Sequence, residues 1–168
     1  MKFQAIRATV DCVSDMGFIH SKSWQAAYRG IIPDNVVDDF LPEKRAAIFQ
    51  KVITTNPEEY YLFKVDDIPA GIGSLYKNYE ENMDETEGEI YSIYFHPDFW
   101  GTLATHKAVE FCLDRLKELG FKRIVIWVLQ DNIRARKFYE KHGFTLDGAQ
   151  QILEIGKPLV EVRYSSFV

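Results

Sequence analysis

The residues best placed to do chemistry fall in a short interruption, His96-Pro97-Asp98-Phe99-Trp100-Gly101, between two segments of different periodicity. Before it, Glu89 to Phe95 is rich in aromatic and β-branched residues and predicts a strand. Pro97 ends that strand, because proline cannot donate to a ladder and restricts the residue before it. After it, from about Ala104, apolar residues recur at helical spacing through Ala108, Val109, Cys112, Leu113, Leu116 and Leu119. Gly120 then stands where a left-handed cap belongs. A strand that feeds a turn into a helix presents unpaired backbone N–H groups at the positive end of the helix dipole. Such a junction suits an anion, and phosphate in particular. His106, at the predicted helix start, either adds a donor to that anion or is a plain surface histidine. With His20, His96 and His142 it makes no metal-ligand pattern, and no metal is expected. No Walker loop or Ser-His-Asp arrangement stands out.

The elements that must position this junction follow from the rest of the chain. Its 168 residues suffice for one domain with a real core. Hydrophobic and charged contents of 46% and 27% fit a soluble globular protein. A net charge of -5 speaks against a nucleic-acid partner, which calls for a basic face. No apolar run approaches a membrane span and the N-terminus lacks a secretory pattern, so a cytoplasmic protein without a membrane partner is expected. Cys12 and Cys112 read as reduced thiols, although two cysteines could pair.

Phe3 to Ala8 predicts a first strand, and Thr9 or Asp11 can cap a helix running to about Tyr28. Asp34 can cap a short helix to Phe40. Pro42 suits the first turn of another, with Ala46, Ile48, Phe49 and Val52 inward. Tyr60 to Val65 and Ala70 to Tyr76 form a hairpin about Asp66-Asp67. Asn78 to Gly88, with Glu80, Glu81, Asp84, Glu85 and Glu87, is either a solvated loop or an acidic rim for a cationic substrate. Arg123 to Leu129 predicts a strand buried on both faces. Asn132 caps a helix from Ile133 to His142 that Gly143 stops. Further strands follow from Phe144 and from Val160 to Tyr164, with a turn at Gly156-Lys157-Pro158. The order predicts a mixed α/β (α+β) domain with a largely antiparallel sheet and one parallel crossover in its middle.

On these residues the chain resembles the GCN5-related N-acetyltransferase (GNAT) family. The segment QDNIRARKFYEKHGF, Gln130 to Phe144, is similar to its acyl-CoA motif at Asn132, Ala135, Phe138-Tyr139 and Gly143-Phe144. EIYSIYFHPDFWG is similar to the family's central strand and the start of its pyrophosphate loop, and SWQAAYRGIIPD, from Ser23, to a bacterial subset. The family's loop usually reads Arg or Gln, two residues, Gly, one residue, then Gly or Ala. Here Trp100, Leu103 and Thr105 hold those positions, with Gly101 matching a common glycine between them. A β-carbon at Leu103 or Thr105 either narrows the backbone approach to pyrophosphate or sends the loop along another path.

The resemblance implies a single N-acetyltransferase-like domain over residues 1–168, a mostly antiparallel sheet flanked by helices. It implies acetyl transfer from acetyl-CoA to a primary amine of a small molecule or peptide, and a homodimer as one assembly. Tyr139 would protonate the departing thiolate, as a phenol of reference pKa near 10 can. Glu89 would take a proton from the substrate ammonium, directly or through water. Gly101, Thr102, Leu103, Ala104, Thr105 and His106 would cradle the pyrophosphate, and the backbone of Tyr94 and Phe95 would pair with the pantetheine amides like an added strand. Asn132 would hold the CoA arm, Arg136 with Arg134 and Lys137 the 3′-phosphate, and Trp24 and Tyr28 would line the acceptor pocket. Plainer readings stand beside these: core aromatics for Tyr139, Trp24 and Tyr28, a helix cap for Asn132, ordinary sheet pairing for Tyr94 and Phe95, and solvated charges for Glu89, Arg134, Arg136 and Lys137. A non-catalytic acyl-CoA sensor on the same fold is the alternative, since fold does not establish function.

Overall fold

Asp66 and Asp67 both take positive φ, 49° and 67°, as a tight two-residue hairpin requires. They fold β2 (Glu59–Val65) onto β3 (Ile68–Lys77), the hairpin that the sequence predicts. The structure, a computed structural model, describes residues 1–77 and 85–168. Strands β1 (Phe3–Arg7), β4 (Glu87–Phe95), β5 (Arg123–Leu129), β6 (Thr145–Glu154) and β7 (Pro158–Phe167) complete one sheet of order β1-β2-β3-β4-β5-β7-β6. Only β4 and β5 run parallel. The crossover between them is α4 (Leu103–Glu118), within a residue or so of its predicted span. The expected mixed, mostly antiparallel α/β architecture is the one observed.

Strand alternation sends successive side chains to opposite faces. Phe63, Leu75, Ile90, Ile124 and Tyr164 meet Ala108, Cys112 and Leu116 of α4 and Tyr139 of α5 (Ile133–Lys141). Tyr60, Leu62 and Ile72 meet Met16 and Ile19 of α1 (Val13–Tyr28) and Phe49 of α3 (Pro42–Thr55) on the other face. A short α2 (Asp34–Asp38) lies between them in the chain. A β-carbon on Gly17 would stand 2.5 Å from the Pro42 carbonyl oxygen, so α1 and α3 touch backbone to backbone. That close approach fixes the height of α1 over the sheet. Cys12 and Cys112 are free. Cys112 is fully buried under Gly73, and burial pushes its thiol pKa well up.

Some expectations are corrected. A 3-10 turn, Val10–Cys12, precedes α1, and Thr9 makes no side-chain cap bond to it. Ile48, expected inward, is exposed, because only Phe49 of that pair falls on the sheet-facing stripe. β4 begins at Glu87, whose side chain is buried and paired to Arg123 at 2.8 Å rather than solvated. Glu80, Glu81 and Asp84, the expected acidic rim, lie outside the described residues.

One ionic cluster ties three elements together. Glu59 of β2 accepts a two-pronged pair from Arg115 of α4, at 2.8 and 2.9 Å, and pairs with Arg7 of β1 at 2.7 Å. The Arg115 guanidinium, with help from the Tyr61 hydroxyl and Arg7, holds the Glu59 carboxyl down at about 2. A depressed folded-state pKa adds stability above the unfolded carboxylate range and loses it as pH falls toward the folded value. Glu59→Gln is therefore expected to cost about 1–2 kcal/mol at pH 7. In urea titrations the gap from the parent should close as pH drops from about 4.5 toward 2. A gap that stays constant over that range would mean the cluster packs without contributing charge.

Candidate active site

β4 and β5 pair over three rungs only, Glu87↔Arg123, Gly88↔Ile124 and Glu89↔Val125. The cause lies one strand away. Leu75 of β3 faces Ile90 and Ser74 faces Ser92, so Tyr91 is an extra residue without a partner. A bulge bends the strand that carries it. β4 turns away while β5 stays paired to β7 from Arg123 to Leu129. A cavity of about 560 Å³ occupies the split. Its walls are Tyr91 to Phe95 of β4, Ile126 to Val128 of β5, Gly101, Thr105 and His106 at the α4 end, Asn132 to Tyr139 in part along α5, and Ser23, Ala27 and Tyr28 of α1.

Ladder alternation decides which backbone groups face the split. The His96 N–H donates to the Ala70 carbonyl, and Tyr94 lies opposite Ile72 two residues on, so both spend their polar groups on β3. Ile93 and Phe95 then point across the gap. This corrects the expectation for Tyr94, whose backbone is engaged. Its side chain lines the cavity instead, with its phenol pKa pushed well above the usual value by burial. The Phe95 carbonyl already accepts from the Trp100 indole N–H at 2.8 Å, which leaves it one lone pair. Ile93 thus has the most accessible edge and is a site residue that the sequence reading misses. Only counting the ladder back from His96 reveals it.

The loop solves its missing residues locally. Gly101 takes φ 71°. Trp100 lies flat against Arg134, whose guanidinium carbon is 3.4 Å from the ring centre. Position 100 therefore carries no cation of its own but holds one from α5. The Thr105 hydroxyl donates to the Thr102 carbonyl at 2.8 Å, which folds its β-carbon into the turn, and Thr105 is buried. Leu103 is 59% exposed, and Leu103, Thr102 and Ala104 are not among the cavity walls. Leu103 thus sits outside the cavity walls.

His106 lines the cavity and its Nδ1 lies 3.1 Å from Nε2 of His142. His142 Nδ1 sits 2.9 Å from the Phe138 carbonyl, which can only accept, so that nitrogen carries the proton. In that tautomer His142 Nε2 accepts from His106 Nδ1, and the Nε2 of His106 has no partner among the described residues. Lys137 and Lys141, one turn apart on α5, line the same wall. Arg136 is not available there: it donates to the Tyr164 hydroxyl and the Gln130 carbonyl, both at 3.0 Å. Lys141 was also missed, although its i, i+4 spacing from Lys137 could have found it.

Asn132 caps α5 by accepting from the Ala135 N–H at 3.2 Å, so its amide N–H is the group that bonds the Tyr28 hydroxyl. Tyr94 bonds the same hydroxyl, joining α1, β4 and α5 at one point, and burial raises the Tyr28 pKa. Trp24 does not line the cavity: it is buried and stacks on Phe40 with ring centres 3.9 Å apart. Glu89 stands on the last paired rung, two residues before Tyr91, and is not a wall either. Tyr139 is a wall residue, and no described residue hydrogen-bonds its hydroxyl. Burial pushes its pKa well above the usual phenol value, with the nearby Arg134 charge opposing.

A junction of this kind can hold a chain of amides along β4, anions at the α4 end, and a reacting carbonyl at the split. Known proteins share the fold. Residues 21–144 match the model of the acetyltransferase (GNAT) family. An uncharacterized N-acetyltransferase of Methanocaldococcus jannaschii is 28% identical over 101 residues, 57% of this chain and 43% of that relative, so the match spans less than half of the relative's length. The PaiA N-acetyltransferase of Thermoplasma acidophilum, solved in complex with coenzyme A, superposes with a TM-score of 0.79 at 14% identity, covering all of both chains. The yncA protein of Salmonella typhimurium, solved with its cofactor acetyl-CoA, gives 0.71 at 16% identity over 99% of this chain and 94% of that one. At such identities the superpositions speak for the fold alone. The family match runs from α1 through α5 and takes in every wall of the split, and on it the chain belongs to the acetyltransferase (GNAT) family.

Proposed function

We propose that the protein is an acetyl-CoA-dependent N-acetyltransferase that moves the acetyl group to a primary amine by direct attack. The observation that carries this reading is the unpaired edge of β4 at Ile93, facing Tyr139 across a cavity of about 560 Å³. Coenzyme A and acetyl-CoA in the related structures named above support the choice of donor. Acetyl-CoA supplies a thioester whose carbonyl is open to attack. The chain's own groups do the rest. The Ile93 N–H polarises the carbonyl oxygen. Lys137, Lys141 and the amides at the start of α4 face the phosphates. Tyr28, Tyr91 and Ser92 shape the space in which the amine arrives. Glu89 takes the amine's proton through a water, since it stands back from the cavity. Tyr139 gives its hydroxyl proton to the leaving sulfur as the C–S bond breaks, and regains one from the new amide nitrogen through solvent. Its raised pKa keeps it a donor rather than a phenolate at working pH.

Tyr139→Phe keeps the ring and deletes the proton. Turnover measured by thiol release should fall by roughly 10²-fold, with the CoA Kd by calorimetry nearly unchanged. Because burial raises the phenol pKa, the parent protein should show no loss of rate from phenol ionisation up to about pH 10. Full activity in the variant, with chemistry rate-limiting, would remove Tyr139 as the acid. CoA binding by the parent without turnover on any amine would make the protein a sensor instead.

The loop gives a second test. Trp100→Ala removes the indole bond to Phe95 and the platform under Arg134, and should weaken CoA binding at least tenfold. Leu103→Ala, off the cavity, should leave the CoA Kd within about twofold, given the ordinary effect of an exposed substitution. The reverse ranking in calorimetry would mean that Leu103 and not Trp100 shapes the loop.

A further inference from the structure

Glu161 of β7 has no part in the reaction as described and is not itself a wall of the cavity, yet it neighbours the walls Tyr28 and Trp127. Alternate residues share a sheet face, which groups Leu159, Glu161 and Arg163. Leu159 packs with Trp24 and Tyr28, and the Arg163 guanidinium lies over the Trp127 ring at 5.5 Å. Glu161, paired across to Leu129, therefore stands between Tyr28 and Trp127 on the α1 side. Its charge reaches the hydroxyls of Tyr28, Tyr91 and Tyr94, the tyrosines at the amine end. Tyr139, at the other end, feels Arg134 and Tyr28 instead.

What marks Glu161 is that no Lys or Arg among the described residues pairs with it. Of the other half-buried or buried carboxylates named so far, Glu59 is matched by Arg7 and Arg115 and Glu87 by Arg123. Asp147 likewise meets Arg123 and Arg163. Glu161 is half-buried, accepts a hydrogen bond from Gln151 Nε2 at 2.8 Å, and pairs with no Lys or Arg among the described residues. Burial accordingly pushes its carboxyl pKa up. A carboxylate taken out of water without a partner is costly, and an arriving cation offsets that cost.

Its distance from the reaction selects the kind of cation. β5 lies between β4 and β7 and β4 has split away at this level, so Glu161 is more than about 10 Å, two strand spacings, from the β4 edge. That is too far for one nitrogen to meet both Glu161 and a carbonyl held at Ile93. It suits two nitrogens separated by about four methylenes, with Tyr28 and Tyr91 rings alongside the chain. We propose that Glu161 anchors a second, non-reacting ammonium group of the acceptor, which makes diamines the favoured acceptor class. This rests on the transferase reading above.

The test compares 1,4-diaminobutane with butylamine, both as ligands of the CoA-loaded protein by calorimetry and as acceptors in steady-state acetylation. Glu161→Gln keeps the size of the side chain and its bond from Gln151 but removes the charge. The parent should bind the diamine at least tenfold tighter than butylamine, and Glu161→Gln should erase the difference. In kinetics the loss should fall on KM for the diamine, at least tenfold, and spare KM for acetyl-CoA. Glu161→Asp, which keeps the charge, should retain the preference. A parent that does not distinguish the two amines, or a Glu161→Gln protein that weakens both equally, overturns the proposal. Selective diamine binding that depends on Glu161, with neither amine acetylated, would uphold the anchor and overturn the transferase reading.

Discussion

Everything in the site depends on one residue too many in β4. Tyr91 has no partner on β3, and the bend it introduces ends the parallel ladder after Glu89 and Val125. A continuous ladder would satisfy every backbone group between the strands and leave no room for a ligand. The split instead leaves the Ile93 edge unpaired inside the fold, an arrangement that is tolerable only if water or a ligand's amides complete it. The helices on either side keep the gap from closing. α1 is held against α3 by the contact at Gly17, and α4 is held at its far end by Arg115 and Glu59.

The charge pattern of the cavity follows from which element supplies each wall. α5 brings Arg134, Lys137 and Lys141 to one side, and on the other Glu161 of β7, not itself a wall, stands next to the walls Tyr28 and Trp127. Between them Tyr28 ties α1 to β4 and α5 through Tyr94 and Asn132. Asn132 serves both as the cap of α5 and as a donor to the amine-side wall. The two ends of the cavity are therefore joined by a single amide side chain, and an Asn132 substitution would disturb the helix start and Tyr28 together.

Much of this could be read from the sequence where local rules decide. Asp66-Asp67 specifies its turn, Asn132 and Gly143 bracket α5, and the apolar spacing from Ala104 to Leu116 specifies α4. The wall residues Tyr28, Gly101, Thr105, His106 and Tyr139 could be named because motif spacing fixes them. What escaped depends on non-local pairing. Whether Tyr94 or Ile93 faces the split turns on ladder parity set by β3, and no window around either residue contains that information. Arg136 and Arg134 differ by two positions on one helix, and only the fold decides that Tyr164 takes the first while Trp100 takes the second. Trp24 and Tyr28 lie one turn apart, yet Phe40 claims the indole for the core.

Cys112 lies close enough to Tyr139 for their charges to interact. A cysteine there could in principle take the acetyl group itself and pass it on in a second step. Its burial forecloses that. The nucleophile would be the thiolate, and a fully enclosed thiol with a raised pKa neither ionises nor reaches a thioester. With Gly73 closing the space above it, no acetyl-cysteine can form without opening the core. On the proposed transferase reading the acetyl group then does not pass through Cys112, and double-reciprocal plots should intersect rather than run parallel as in a ping-pong scheme.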